Sequence, residues 1–378
     1  MTSKAAELRS KGFKVTNMSV GEPDFNTPLN IRTAGIDAIN NGMTKYTPGG
    51  GLPNLKNAVC QKLKRDNNLN YSPENIIISC GGKHALYNAC QVLFQSGDEV
   101  IIFTPYWVSF PDFVSVTGAK PVFVNTDPNA QYQPNFSDLE QSINSNTKGI
   151  IINSPSNPTG GVWSDDAVKR TLDIAHKYDL WVFSDECYEQ LTYDTDFTSI
   201  KNFDPKNDKI ITFQSCSKTY AMTGWRIGYT AGEKKLIKAM SKLQGQSTSC
   251  PNSIAQSAAI EALTGDQSEV AEMRNVFKMR RALIMERLGK IPSVSCDTPG
   301  GAFYVFPEFS KLIGKKLNGK KIETATEIAF HLLEKYQVVT VPGVGFGAPN
   351  NIRFSYAASD EDINNAMDAL DKVIEEIS

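Results

Sequence analysis

Lys218 lies in the run Ser215-Cys216-Ser217-Lys218-Thr219-Tyr220-Ala221-Met222-Thr223-Gly224-Trp225-Arg226-Ile227-Gly228, just past a strand-like segment from Lys209 to Phe213. A lysine amine held neutral attacks carbonyl carbon and forms a Schiff base. A phosphate beside it calls for hydroxyls and a guanidinium. Ser215 and Ser217 upstream and Arg226 downstream supply these groups. Taken alone, Lys218 also reads as an ordinary surface lysine in a loop.

Other strand ends carry residues of similar promise. Asp185 leaves the apolar run Leu180–Phe183, where a desolvated carboxylate needs a cationic partner. A pyridinium nitrogen would serve; helix capping is the commoner role for an aspartate. Tyr188 follows three residues on. Trp107 follows another strand end, and its indole suits either a flat aromatic ligand or the core. Asn157 offers an amide on a proline-flanked loop. Gly81-Gly82 stands between the strand Asn75–Ser79 and a helix with Leu86, Ala89, Cys90 and Leu93 on one face. Strand, glycines and helix together form a phosphate-binding arrangement, although many such turns bind nothing. Lys83 in the first helical turn opposes the helix dipole at a cost of about 0.3–1 kcal/mol, so a compensating anion is expected there. A solvated lysine is the alternative. Gly21, in Gly21-Glu22-Pro23-Asp24-Phe25, frees the backbone to approach a ligand or merely to turn.

The elements that position these residues follow from periodicity. Strand-like segments run over Glu99–Phe103, Pro121–Val124, Gly149–Asn153, Leu180–Ser184, Lys209–Phe213 and Ile227–Ala231, several of them continuously apolar, as in strands buried on both faces. Helical stretches such as Asp165–Tyr178 lie between them. The alternation predicts an α/β sheet between helices, with ligands at the carboxyl ends of its strands. Thr27-Pro28 reads as a helix start with the hydroxyl at the cap. Beyond Glu269 long amphipathic helices, Val270–Leu288 and Thr324–Tyr336, predict a second, smaller α+β domain.

Composition narrows the function classes. The 378 residues are 40% hydrophobic and 21% charged, a globular balance. A formal charge of −2 gives no electrostatic case for nucleic acid or an anionic membrane. No apolar run approaches the ~20 residues of a membrane helix. Seven scattered cysteines without a CxxC pair suit free thiols in a reducing, cytoplasmic setting, and three histidines argue against a metal site.

The Lys218 stretch resembles the lysine signature of pyridoxal-phosphate (PLP) aminotransferases of fold type I, class I/II. Ala221–Tyr229 looks like the branch that contains bacterial-type aspartate aminotransferases. The resemblance runs from Leu8 to the C-terminus. It implies a large PLP-binding domain at 26–268, with a mainly parallel sheet between helices, and a small domain from 1–25 and 269–378. It implies PLP carried on Lys218, with Asp185 on the ring nitrogen and Tyr188 and Asn157 on the phenolic oxygen. Trp107 would stack on the ring; Gly81, Gly82, Ser215, Ser217 and Arg226 would hold the phosphate. Tyr46, in the loop Lys45–Gly51, would reach the phosphate of a partner subunit, which makes the active unit a homodimer. Arg353 would grip the substrate α-carboxylate near Gly21, and Lys83 the side-chain carboxylate of a dicarboxylic substrate. Gly300–Tyr304 and Val341–Gly343 are similar to segments lining the family's active site. Related chains commonly carry an extra N-terminal arm that packs on the partner subunit.

The implied reaction moves an amino group between aspartate and 2-oxoglutarate in a ping-pong cycle of pyridoxal and pyridoxamine phosphate, with amino acids and 2-oxo acids as substrates. Prephenate aminotransferases share every motif quoted. Aromatic or kynurenine aminotransferases and C–S lyases fit less well. A non-catalytic regulator on the same fold is disfavoured, because every catalytic position is filled.

Overall fold

The structure, a computed structural model, describes residues 2–378. The strands in chain order are β1 (Thr16–Asn17), β2 (Ile76–Ser79), β3 (Glu99–Thr104), β4 (Lys120–Asp127), β5 (Gln133–Pro134), β6 (Thr147–Asn153), β7 (Trp181–Asp185), β8 (Ile210–Ser215) and β9 (Gly228–Ala231). All but β1 join one eight-stranded sheet in the order β2-β9-β8-β7-β6-β3-β4-β5. The pairs β3/β4, β3/β6, β6/β7 and β7/β8 are parallel. β9 runs antiparallel to both β2 and β8, and β5 antiparallel to β4.

Continuous apolar runs form these strands because both faces of the sheet are covered. Alternate residues of one strand serve opposite cores. Ile102, Ile151, Phe183 and Ile211 pack with Leu86, Phe110 and Met240 of the helices Gly82–Leu93, Phe110–Ser115 and Lys234–Ser247. Their strand neighbours Ile101, Ile150, Val182 and Ile210 pack with Val168 and Leu172 of the helix Asp165–Lys177. That helix is well specified: the Ser164 side chain accepts from Ala167 N–H, acids occupy its first turn, and His176 and Lys177 its last.

The expected Thr27 cap is not made. The helix Leu29–Asn40 starts at Pro28 without a side-chain cap. Thr27 Oγ1 instead donates to Ala221 O at 2.6 Å and accepts from Trp225 Nε1 at 3.0 Å. Its hydroxyl is therefore taken by a long-range contact beside the Lys218 segment.

Further along the chain come β10 (Tyr304–Val305), the hairpin β11 (Lys316–Leu317) and β12 (Lys320–Lys321), β13 (Val338–Val339), β14 (Val341–Pro342) and β15 (Ile352–Ser355). β10, β15 and β14 form a small antiparallel sheet. β1 pairs in parallel with β13, and Leu8 packs on Leu333 and Val339, so the N-terminal segment lies on the C-terminal part of the chain. The long helix Ser268–Leu288 spans two cores. Val270 and Met273 pack with Leu55, Val59 and Ala258, whereas Phe277, Ile284 and Leu288 pack with Phe303, Leu332 and Met367. Among the described residues no helix is long and apolar enough to cross a membrane.

Candidate active site

The carboxyl ends of β6, β7 and β8 open into a cavity of about 380 Å³. Gly82, Ser215, Ser217 and Arg226 line it together, and Lys83, Trp107, Asn157, Asp185, Tyr188, Lys218, Gly21 and Arg353 complete the lining. Two of the expected residues are elsewhere. Gly81 lies just behind the wall. Tyr46 is 88% exposed and is not part of this cavity.

Lys218 belongs to the four-residue helix Cys216–Thr219, which starts where β8 ends. Its Nζ donates to the Gly21 carbonyl, so a residue from the N-terminal segment holds the amine across the cavity. Burial pushes the Lys218 pKa below the ordinary lysine value, and the nearby guanidiniums of Arg226 and Arg353 add to the effect. Asp185 ends β7 and is buried. Its pKa is raised to about 7: burial is the main cause and the charge on Glu186 adds to it, while the hydrogen bond from Cys187 N–H to Oδ1 (3.2 Å) and the charge on Lys218 oppose the rise. Among the described residues that N–H is the carboxylate's only hydrogen-bond donor. Tyr188 is buried, its Oη lies 2.9 Å from Tyr304 Oη, and burial drives its pKa well above the normal phenol value, so it stays a donor.

The opposite rim is a turn of small residues. Gly81 has φ +86°, and a Cβ there would collide with the Arg226 guanidinium. A Cβ on Gly228 would collide with the Gly82 backbone nitrogen. Arg226 is itself left-handed (φ 57°); its Nη1 donates to Thr223 O at 2.8 Å. Ser215 Oγ lies 2.8 Å from Ser217 Oγ and accepts from Ser217 N–H at 3.1 Å. The N-terminal turn of the helix Gly82–Leu93, two hydroxyls and a guanidinium thus face one spot, the donor set of a phosphate cradle.

Two cations complete the wall. Arg353 is buried; Nη1 donates to Asn157 Oδ1 and Nη2 to Ser19 O, each at 2.8 Å, while Nε has no partner among the described residues. Lys83 Nζ donates to Ser109 Oγ at 3.1 Å and sits 4.9 Å from the centre of the Trp107 ring. Among the described residues both cations therefore bond only to neutral oxygens. The Trp107 ring meets Phe110 and Phe113 edge-on and also lines the cavity, so it packs on the core and faces the cavity at once.

The residues fit PLP. Asp185 is a buried carboxylate without a bonded cation, the glycine-lined cradle leaves backbone N–H groups and Arg226 for a phosphate, and the Lys218 amine is partly desolvated between them. No cluster of three or more His, Cys, Asp or Glu among the described residues is placed to hold a metal.

Sequence reasoning missed Ser109, Thr223, Phe346 and Gln214, which also line the cavity or bond its residues. Ser109 could have been found: it precedes Phe110-Pro111 in a helix-start pattern, yet its hydroxyl makes no cap bond and serves Lys83 instead.

With such a lysine, carboxylate and cradle at the strand ends, the site is that of a PLP-dependent transferase, and the chain belongs to the family Aminotransferase class I and II, whose profile matches residues 14–370. It is 45% identical over 370 residues to a probable aspartate/prephenate aminotransferase of Rhizobium leguminosarum bv. phaseoli, covering 97% of this chain and 92% of that one. It is 44% identical to an aspartate aminotransferase of Geobacillus stearothermophilus, covering 100% and 94%. The crystal structure of the aspartate aminotransferase from Rhizobium meliloti superposes with a TM-score of 0.96 at 38% identity, covering 100% of this chain and 95% of that one. The fold is therefore fold type I, and the chain is a PLP-dependent transaminase acting on amino acids and 2-oxo acids.

Proposed function

We propose that the protein transfers the amino group of aspartate to 2-oxoglutarate. The observation that carries this reading is the pair of cations, Arg353 and Lys83, in one cavity with no acidic partner among the described residues. Two such cations fit a dicarboxylic acid held at both ends.

PLP, when bound, supplies the carbonyl carbon that receives the amino group and a ring that takes up the electron pair released at the substrate's α-carbon. Ser215, Ser217, Arg226 and the Gly81-Gly82 backbone would hold its phosphate, and Trp107 would cover its ring. Asp185 would pair with the ring nitrogen and keep it protonated. Tyr188 Oη and Asn157 Nδ2 would donate to the phenolic oxygen. Lys218 Nζ would be the point of attachment for the cofactor, and as a free amine it would serve as the base that takes the proton from the substrate's α-carbon; its depressed pKa suits a base that must be neutral near pH 7. Arg353 grips the α-carboxylate as a fork, with Gly21 leaving room beside it. Lys83 grips the second carboxylate.

The same two cations fit prephenate, and relatives named aspartate/prephenate aminotransferase at 44–45% identity support that second reading. The test is a donor screen of the PLP-loaded protein with 2-oxoglutarate. Aspartate should exceed alanine at least tenfold in kcat/KM, which is about 1.4 kcal/mol of differential transition-state binding. Equal rates for acidic and neutral donors overturn the reading. Prephenate with glutamate as donor decides the second one.

The active unit in this reading is a homodimer. Exposed Tyr46 and the exposed apolar residues Leu29, Ile36 and Ile39 of the helix Leu29–Asn40 support it. Residues 26–268 form the PLP-binding domain, and 1–25 with 269–378 the small one. The pairing of β1 with β13 supports that division. Seven free cysteines support a cytoplasmic location.

A further inference from the structure

Behind the cavity floor lies a buried polar chain that the reaction as described does not use. Lys62, on the helix Pro53–Asn67, is 1% exposed. Its Nζ donates to Glu189, to Asn67 Oδ1 at 2.8 Å and to Gln214 Oε1 at 2.9 Å. Tyr229 Oη donates to the same Gln214 oxygen at 3.0 Å. With two donors on its oxygen, the Gln214 amide has one possible orientation, and its Nε2 donates to Glu186 Oε2 at 3.1 Å. Glu186 is fully buried. Its Oε1 accepts from Ile200 N–H at 3.2 Å and lies 2.7 Å from both Ser184 Oγ and Ser199 Oγ.

Each oxygen of Glu186 thus accepts from an N–H that can only donate, which favours the carboxylate against the cost of its burial. Burying a charge without a bonded cation is costly. Here Lys62 answers it at one remove, through Gln214. The other titratable groups facing it are Glu189, already engaged by Lys62, Asp185 next in the chain, and Tyr71. Glu186 directly follows Asp185, whose carboxylate the cavity uses.

We propose that the relay Lys62–Gln214–Glu186 is a built-in electrostatic device: it fixes a second carboxylate behind Asp185, so that the Asp185 position holds a protonated ring nitrogen more firmly than one buried aspartate could alone. Glu186 touches neither cofactor nor substrate. It is a positioning residue that acts through Asp185, and this rests on the assignment of Asp185 to the ring nitrogen. Burial raises the Glu186 pKa, while Ser199, Ser184 and Gln214 pull it down. The device therefore strengthens as pH rises and Glu186 gives up its proton.

The experiment compares binding of PLP with binding of its analogue whose ring nitrogen is replaced by carbon, which has no proton there to hold. Both are titrated into the full-length apoprotein in mildly alkaline buffer. Glu186→Gln should weaken PLP binding about tenfold and analogue binding less than about twofold. Losses equal for the two ligands would make Glu186 a structural residue and overturn the proposal. Ser199→Ala removes one hydroxyl from Glu186 and leaves both N–H donors. It should lower the preference for PLP over the analogue about twofold, and it stands in if Glu186→Gln does not fold. An unchanged preference in Ser199→Ala also overturns the proposal. If the unsubstituted protein binds PLP and analogue equally, the assignment of Asp185 itself fails, which is a different result from either variant's.

Discussion

Arg353 Nη1 donates to Asn157 Oδ1 at 2.8 Å, and this bond fixes which end of the Asn157 amide is left for the cavity. A guanidinium can only donate, so the amide oxygen is committed and Nδ2 remains free. One bond couples the residue assigned to the substrate carboxylate to a residue assigned to the cofactor. Asn157→Asp should turn it into a buried ion pair that competes with the substrate for Arg353. The expected result is a fall in kcat/KM of about a hundredfold for acidic and neutral donors alike, since both carry the α-carboxylate. Steady-state kinetics with aspartate and alanine check it.

Lys218→Ala should retain PLP by its phosphate contacts but without covalent attachment. Borohydride should then fix no cofactor to the chain, and transamination should fall by at least about 10²–10⁴-fold, the range a general base contributes. Mass spectrometry of the reduced protein and a single-turnover assay read the two effects. Wild-type turnover in this variant would dismiss the role given to Lys218.

Lys83→Ala should cut kcat/KM for aspartate and glutamate about tenfold or more, and change alanine or phenylalanine far less. The Lys83–Ser109 bond makes a milder version available: Ser109→Ala keeps the cation but loosens it, so a smaller loss with the same selectivity is expected. Equal losses for acidic and neutral donors would make Lys83 a cofactor or structural residue.

Asp185 predicts a pH dependence for the protein without cofactor. Its pKa rises from 3.8 to about 7 on folding. Between those values the native state holds a proton that the unfolded chain has lost, so the group's contribution to stability is full below pH 3.8 and lost as pH rises through about 7. Asp185→Asn should remove this loss and stabilise the apoprotein above pH 7 by on the order of 1–3 kcal/mol, while weakening PLP binding. Urea melts on both sides of neutrality measure the first effect and PLP titration the second.

If the proposed homodimer places Tyr46 on a partner's phosphate, Tyr46→Phe should weaken PLP binding about tenfold and leave sedimentation unchanged, because only a hydroxyl-to-phosphate bond would be lost. A fully active monomer in sedimentation would exclude the partner role.

The central strands were legible because covered parallel strands are apolar without interruption, and Lys218, Asp185 and Asn157 stand where those runs end. The direction of β9 was not, since nothing local in Gly228–Ala231 tells whether it runs with or against β8. Two-residue strands such as β11 and β13 are too short to carry a period. Thr27 misled because a local cap and a distant carbonyl want the same hydroxyl. Lys62 is the sharpest case. It stands beside the apolar stripe Leu55, Val59 and Leu63 and has the chemistry of a solvated residue, but Glu189 and Gln214, both distant in the sequence, join Asn67 of its own helix in holding it buried. Long-range pairing of this kind leaves no local signature.

The excursion between β8 and β9 is zipped where it leaves and where it returns. Ser215 pairs with Gly228 in the sheet register, and Cys216 N–H donates to Ile227 O at 3.2 Å. Lys218 and Arg226 both ride on this closed loop, so the groups assigned to the two ends of one bound molecule share a single cooperative unit. Such a unit opens with one free energy. Amides from Ser217 to Arg226 should therefore exchange with deuterium together, and the grip on a ligand should be lost in one event instead of one end at a time. Release is then as rare as the opening of the loop itself, whatever the strength of either contact taken singly.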